Sequence, residues 1–103
     1  MKKDLTISEL KLRLDGVPRP RLIDVRNPDE FASGHIPGAE NHPLGQLDTA
    51  IPGVEPTEDV LVVCHSGMRS NQACQKLADR YPRLYNVLGG TAAWIAAGHP
   101  IQR

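Results

Sequence analysis

Val60-Leu61-Val62-Val63-Cys64-His65-Ser66-Gly67-Met68-Arg69-Ser70 is the stretch that decides the fold. Four consecutive apolar residues, three of them β-branched, read as a central parallel strand covered on both faces, because a strand with one solvated face would alternate apolar with polar. A thiol stands at the carboxyl end of that strand, and a short loop with one glycine follows. From about Met68 to Tyr81 the pattern turns helical, with Cys74, Leu77, Ala78 and Tyr81 at i, i+3, i+4 and i+7. In open α/β sheets, ligands bind just past the carboxyl ends of the strands, so this loop is the candidate site.

Outward from the loop, strands and helices alternate in both directions. Toward the N-terminus, Glu55 to Asp59 reads as a solvated turn. Pro43 to Ile51 is expected to form a short helix, with Leu44 and Leu47 inward and Pro52-Gly53 as its stop. Ile36 to Ala39 reads as a tight turn. Asn27-Pro28-Asp29-Glu30 is a helix start, with Asn as N-cap, Pro in the first turn and Glu three residues on. Phe31 is expected to anchor this helix in the core and Gly34 to end it. Leu22 to Val25 is a short buried strand, and Gly16 to Pro20 breaks a first helix. That first helix opens with the capping box Thr6-Ile7-Ser8-Glu9 and carries Ile7, Leu10 and Leu14 on one face. Toward the C-terminus, Leu84 to Leu88 is a strand containing Asn86. Gly89-Gly90 leads into a last helix from Thr91 to Ala97, closed by Gly98 and Pro100. This alternation predicts an α/β domain with a mainly parallel sheet.

Composition bounds the function. The chain has 103 residues, which suits one domain over 1–103 and leaves no room for a second. Twelve Lys and Arg balance twelve Asp and Glu, which excludes a basic nucleic-acid footprint and an acidic tail. Four aromatic residues are too few to support a stacking platform for single strands. Nine Gly and nine Pro make a turn-rich chain, below the roughly 25–30% at which low-complexity disorder is the better reading. Two cysteines do not make a disulfide framework, and neither they nor His35, His42 and His99 show metal-ligand spacing. No apolar run approaches the roughly 20 residues of a membrane span, and no apolar segment follows Lys2-Lys3 as a signal peptide would require. The expectation is a reduced, cytoplasmic, monomeric protein with no metal, no cofactor, no nucleic acid and no membrane partner.

The chemistry concentrates around Cys64. Unpartnered N–H groups of the loop and of the first helical turn can converge on its sulfur and, with the positive end of the helix, lower the thiol pKa. Gly67 permits the tight curvature. From Val60 to Gln75 the one formally charged residue is Arg69, so a neutral chain is expected to carry a locally positive pocket. Such a pocket suits thiolate attack on an anionic substrate, either phosphate-ester hydrolysis through phosphocysteine or sulfur transfer through a persulfide. Cysteine phosphatases place five residues between Cys and Arg. Here four lie between Cys64 and Arg69, making a tighter cup that suits a single sulfur atom better than a tetrahedral phosphate.

At this point the chain resembles a single-domain rhodanese, a thiosulfate sulfurtransferase-like protein. Asp24-Val25-Arg26 with Glu30-Phe31 resembles the first signature of that family, continued by Gly34-His35-Ile36-Pro37-Gly38-Ala39. Val62-Val63-Cys64 with Gly67 and Arg69-Ser70 resembles the active-site loop, and Gly89-Gly90 with Ala93-Trp94 the C-terminal signature. Together these landmarks span about residues 21 to 98. The resemblance implies a three-layer fold with a central, mostly parallel five-stranded sheet flanked by helices. It implies ping-pong chemistry in which Cys64 takes a sulfane sulfur from thiosulfate or another small sulfur-containing anion and passes it to cyanide or a thiol, including a protein thiol. His65, Ser66, Gly67, Met68, Arg69 and Ser70 would then bind the substrate, with the loop amides stabilising the persulfide and Arg69 orienting the donor. His65 and Met68 occupy positions that vary in the family.

Plainer readings stand beside these. Cys74 reads as core packing. His65 reads as loop lining rather than a general base, and Trp94 as a core anchor. Asp24, Arg26 and Glu30 read as an ion-pair network tying a strand end to the next helix. Two alternatives to sulfur transfer remain open: a non-catalytic interaction module of the same family, and a cysteine phosphatase or arsenate reductase on the same fold.

Overall fold

The computed structural model describes residues 3–103. Its elements, in chain order, are β1 (Lys3–Leu5), α1 (Ile7–Asp15), β2 (Arg21–Asp24), α2 (Pro28–Ser33), β3 (Glu40–Asn41), a 3₁₀ turn (Leu44–Gln46), β4 (Val60–Val63), α3 (Met68–Leu77), β5 (Leu84–Val87) and α4 (Gly90–Ala96). The five strands form one sheet in the order β1-β5-β4-β2-β3, and every pairing is parallel. β4 lies at its centre, with Arg21 opposite Val60 on one side and Val60 opposite Leu84 on the other.

The period of two along β4 explains its unbroken apolar sequence. Val60, Val62 and Cys64 point into one core with Cys74, Leu77 and Tyr81. Leu61 and Val63 point into the other, with Leu10 of α1 and Trp94 of α4. Cys64 therefore lies on the face covered by α3, whose N-terminus starts where its sulfur sits. Cys74 is in that same core, and Trp94 is buried in the opposite one, its indole N–H donating to Pro100 O at 2.7 Å.

Local signals placed the helices well. The Thr6 capping box is formed, with Glu9 N–H donating to Thr6 Oγ1 at 3.2 Å and Thr6 N–H to Glu9 Oε1 at 2.9 Å. At α2, Asn27 N–H donates to Glu30 Oε1 at 3.1 Å.

Three expectations need correction. Residues 43–51 do not form a helix beyond the 3₁₀ turn at Leu44–Gln46. Their backbone is tied down from outside instead: Ile51 N–H donates to the Tyr81 hydroxyl at 2.9 Å, that hydroxyl donates to Val54 O at 3.0 Å, and Lys76 Nζ reaches Leu47 O at 3.0 Å. Side chains of and just beyond α3 thus replace the i→i−4 ladder. Phe31 is not a core anchor; it is half-buried and stacked on His35, with ring centroids 3.7 Å apart and planes 6° from parallel. Finally, β1 was not expected from the sequence. It is a three-residue edge strand with a single buried side chain, Leu5, too short to show a period.

Among the described residues, no helix is long and apolar enough to cross a membrane, and no group of three or more His, Cys, Asp or Glu is placed to hold a metal ion.

Candidate active site: the Cys64 loop

β4 delivers Cys64 to the carboxyl edge of the sheet, and the chain turns through His65, Ser66 and Gly67 into α3. Gly67 is the N-cap and has φ 111°, in the left-handed region that glycine adopts without steric cost. This twist aims the Gly67 N–H back at the thiol, 3.0 Å from Cys64 Sγ. Cys64 Sγ lies 3.4 Å from Ser70 Oγ, which donates in turn to Gly67 O at 3.1 Å. Burial pushes the Cys64 thiol up, since Cys64 is only 1% exposed, but hydrogen bonding with the Ser70 hydroxyl and from the amides of Ser70, Gly67 and Ser66 outweighs it. The net result is a thiol held below its ordinary value, because hydrogen bonds to the sulfur favour the anion.

A second helix anchors the loop from behind. Thr91 N–H donates to Cys64 O at 2.8 Å, and Ala92 N–H donates to His65 O at 3.0 Å. The first turn of α4 thus takes up the loop carbonyls. The approach is so close that a Cβ on Gly90 would stand 2.4 Å from Cys64 O.

The residues singled out in the sequence are brought together unevenly. Gly67 and Ser70 contact the sulfur. His65 is exposed and lines a neighbouring cleft, and Met68 is 74% exposed at the start of α3. Arg69 is half-buried and makes a two-pronged ion pair with Glu30 of α2, at 2.6 and 2.9 Å. That pairing pulls the Glu30 carboxyl down to about 2 and raises the Arg69 guanidinium. The positive pocket expected from the charge count is therefore neutralised by an acid 39 residues away in the chain.

The expected Asp24–Arg26–Glu30 network divides in two. Asp24 and Arg26 form a buried pair, with Arg26 Nη2 2.8 Å from both Asp24 Oδ2 and Gly34 O, and this pair locks the end of β2 to the end of α2. Glu30 bonds to Arg69 instead. Sequence reasoning missed that contact because the capping box already accounts for a Glu at position 30. It also missed the grip of α4 on the loop, for which the Gly89-Gly90 pair was the available signal.

The model of the rhodanese-like domain family matches residues 6–97. This chain belongs to that family. Among its relatives is a sulfurtransferase from Allochromatium vinosum, 35% identical over 102 residues, which cover 98% of this chain and 95% of that one. Thiosulfate sulfurtransferase 18 of Arabidopsis thaliana is 37% identical over 94 residues, covering 77% of this chain and 69% of that one. Among solved structures, the rhodanese-like domain of an Anabaena protein superposes with a TM-score of 0.88 at 30% identity, covering 99% of this chain and 80% of that one. The all-parallel five-stranded sheet flanked by helices is thus the rhodanese-like fold, and Cys64 lies in the loop that follows its central strand.

Proposed function

We propose that this rhodanese-like domain, acting as a single unit over residues 1–103, is a sulfurtransferase with Cys64 as its nucleophile. The observation that carries the reading is the convergence of donors on the sulfur, led by the Gly67 N–H at 3.0 Å. A thiol held below its ordinary value carries more thiolate at a given pH than a free thiol does, and the thiolate is the attacking species. Cys64 Sγ attacks the outer sulfur of a sulfane donor. A new S–S bond forms on Cys64, the donor's S–S bond breaks, and the electron pair leaves with sulfite or with a thiolate. A second nucleophile, cyanide or a thiol, then takes the outer sulfur and restores the Cys64 thiolate. The loop amides need not reorganise as charge moves outward by one atom, which is preorganised electrostatic stabilisation. The four-residue spacing from Cys64 to Arg69 supports this reading over phosphate-ester hydrolysis.

Incubation with thiosulfate and cyanide tests the proposal. Thiocyanate should form, the intact protein should gain the mass of one sulfur atom, and the gain should map to Cys64. A Cys64→Ser variant that kept its full rate would overturn it.

A further inference from the structure

The Arg69–Glu30 pair bears on which donor the loop accepts. Arg69 is the one formal charge between Val60 and Gln75. Both prongs of its guanidinium are engaged by Glu30 Oε1 and Oε2 at 2.6 and 2.9 Å. Glu30 is itself fixed, because Oε1 also accepts the Asn27 N–H at 3.1 Å and so belongs to the start of α2. The planar fork that would clasp a sulfonate is therefore already satisfied by a carboxylate held in place from the other side. At Arg69 a thiosulfate dianion therefore meets a neutral ion pair.

The same glutamate lines a cleft of about 320 Å³ beside the loop, together with His65, Thr91, Ile95, Ile101 and Arg103. Two of its lining residues are bonded to the site: Thr91 N–H holds Cys64 O, and Glu30 holds Arg69. Its lining mixes two isoleucines with polar groups, and the buried Thr91 Oγ1 has no hydrogen-bond partner. A cleft of this kind has room for an organic group bearing polar substituents. Thiosulfate has no organic group to place there.

We propose that Glu30 is a specificity-determining residue, one that caps Arg69 against the sulfonate of thiosulfate and leaves the loop matched to organic persulfides whose carbon skeleton lies in the adjacent cleft. The proposal rests on the sulfurtransferase reading above. The step is balanced: Cys64–S⁻ and R–S–SH give Cys64–S–SH and R–S⁻, with the electron pair of the broken S–S bond leaving on the organic thiolate and no external oxidant needed.

The test compares donors in the unaltered protein and in Glu30→Gln, which keeps an acceptor for Asn27 N–H but removes the charge. The readout is the ratio of kcat/KM for thiosulfate to kcat/KM for glutathione persulfide, with sulfur loading of Cys64 followed by mass. In Glu30→Gln the ratio should rise about tenfold, mainly through a lower KM for thiosulfate, which is the scale of one charge-assisted hydrogen bond at a partly exposed site. A ratio unchanged or lowered overturns the proposal. Should that variant lose its cooperative melt, the unaltered protein decides: a capped Arg69 predicts a thiosulfate KM that varies less than about twofold between low and high ionic strength, and a steep rise with salt overturns the cap. Failure of both donors to load Cys64 defeats the sulfurtransferase reading itself, and so is distinguishable from failure of the cap alone.

Discussion

Gly90→Ala isolates the contact on which the loop geometry depends. Gly90 has φ +60°, and a Cβ there would lie 2.4 Å from Cys64 O and 2.5 Å from His65 O. Both obstructing atoms are backbone, so no side chain can rotate away; α4 must lift off the loop. The left-handed conformation alone costs a non-glycine residue about 1 kcal/mol. Lifting α4 also strains or breaks the bonds from Thr91 N–H to Cys64 O and from Ala92 N–H to His65 O, at about 1 kcal/mol each. The sum is about 3 kcal/mol, which in a domain of this size corresponds to a fall in Tm on the order of 15 °C. Gly53→Ala supplies the control. Gly53 has φ +77° with nothing within 4 Å of its Cβ position, so it carries only the conformational cost, about 1 kcal/mol and roughly 5 °C. Thermal melts of both variants, with sulfur loading of Cys64 measured below the melt, make the assay. Gly90→Ala should melt well below Gly53→Ala and should load sulfur more slowly, because the loop amides lose their backing. Equal melting temperatures for the two variants, with normal loading, would refute the argument that α4 clamps the loop.

Other outcomes follow from the same geometry. Ser70→Ala removes the hydroxyl 3.4 Å from Cys64 Sγ, so the pH midpoint of Cys64 alkylation should move upward and loading near neutrality should slow several-fold. In the unaltered protein, alkylation should rise as pH rises through a midpoint below that of an ordinary thiol, because deprotonation makes the reactive anion. The Glu30 carboxyl, held down to about 2 by Arg69, binds a proton less readily when folded than when unfolded. Its contribution to stability is therefore fully present above the ordinary carboxylate value and is lost as pH falls toward 2; after screening at a site about one-third exposed it amounts to about 1 kcal/mol. Denaturant midpoints measured between pH 2 and pH 5 should flatten in Glu30→Gln. Tyr81→Phe leaves the Ile51 N–H and Val54 O without their buried partner, which should cost about 2 kcal/mol. Amide exchange should accelerate across residues 47–54, while loading of Cys64 stays close to normal.

Much of the architecture was legible in the sequence because it is governed by neighbours within about four positions. The capping boxes at Thr6 and Asn27, the unbroken apolar run of β4 and the left-handed glycine at position 67 each carry a local rule that needs no knowledge of the rest of the fold. The thiol and its nearest polar neighbours are also close in the chain: Cys64, Gly67 and Ser70 lie within seven consecutive residues, at the end of a strand, in the loop and in the first helical turn. Residues 43–51 failed as a helix for the opposite reason. Their backbone partners, Tyr81 and Lys76, lie about thirty positions away, and no periodicity within the segment reports them.

The opening stretch, Val60 to Ser70, by itself determined that this chain places a thiol at the mouth of a parallel sheet, because strand pattern, loop length and helix start are local properties. The charge of that mouth was decided by tertiary structure. Arg69 reads as a free cation in the sequence, and only the packing of α2 against the loop brings Glu30 to within 2.6 Å of it. Only packing, too, sets the first turn of α4 on the carbonyls of Cys64 and His65, with Gly90 as the residue that permits it. Contacts between side chains tens of residues apart depend on how the layers stack, and that distance is a property of the assembled sheet and its helices rather than of any segment within it.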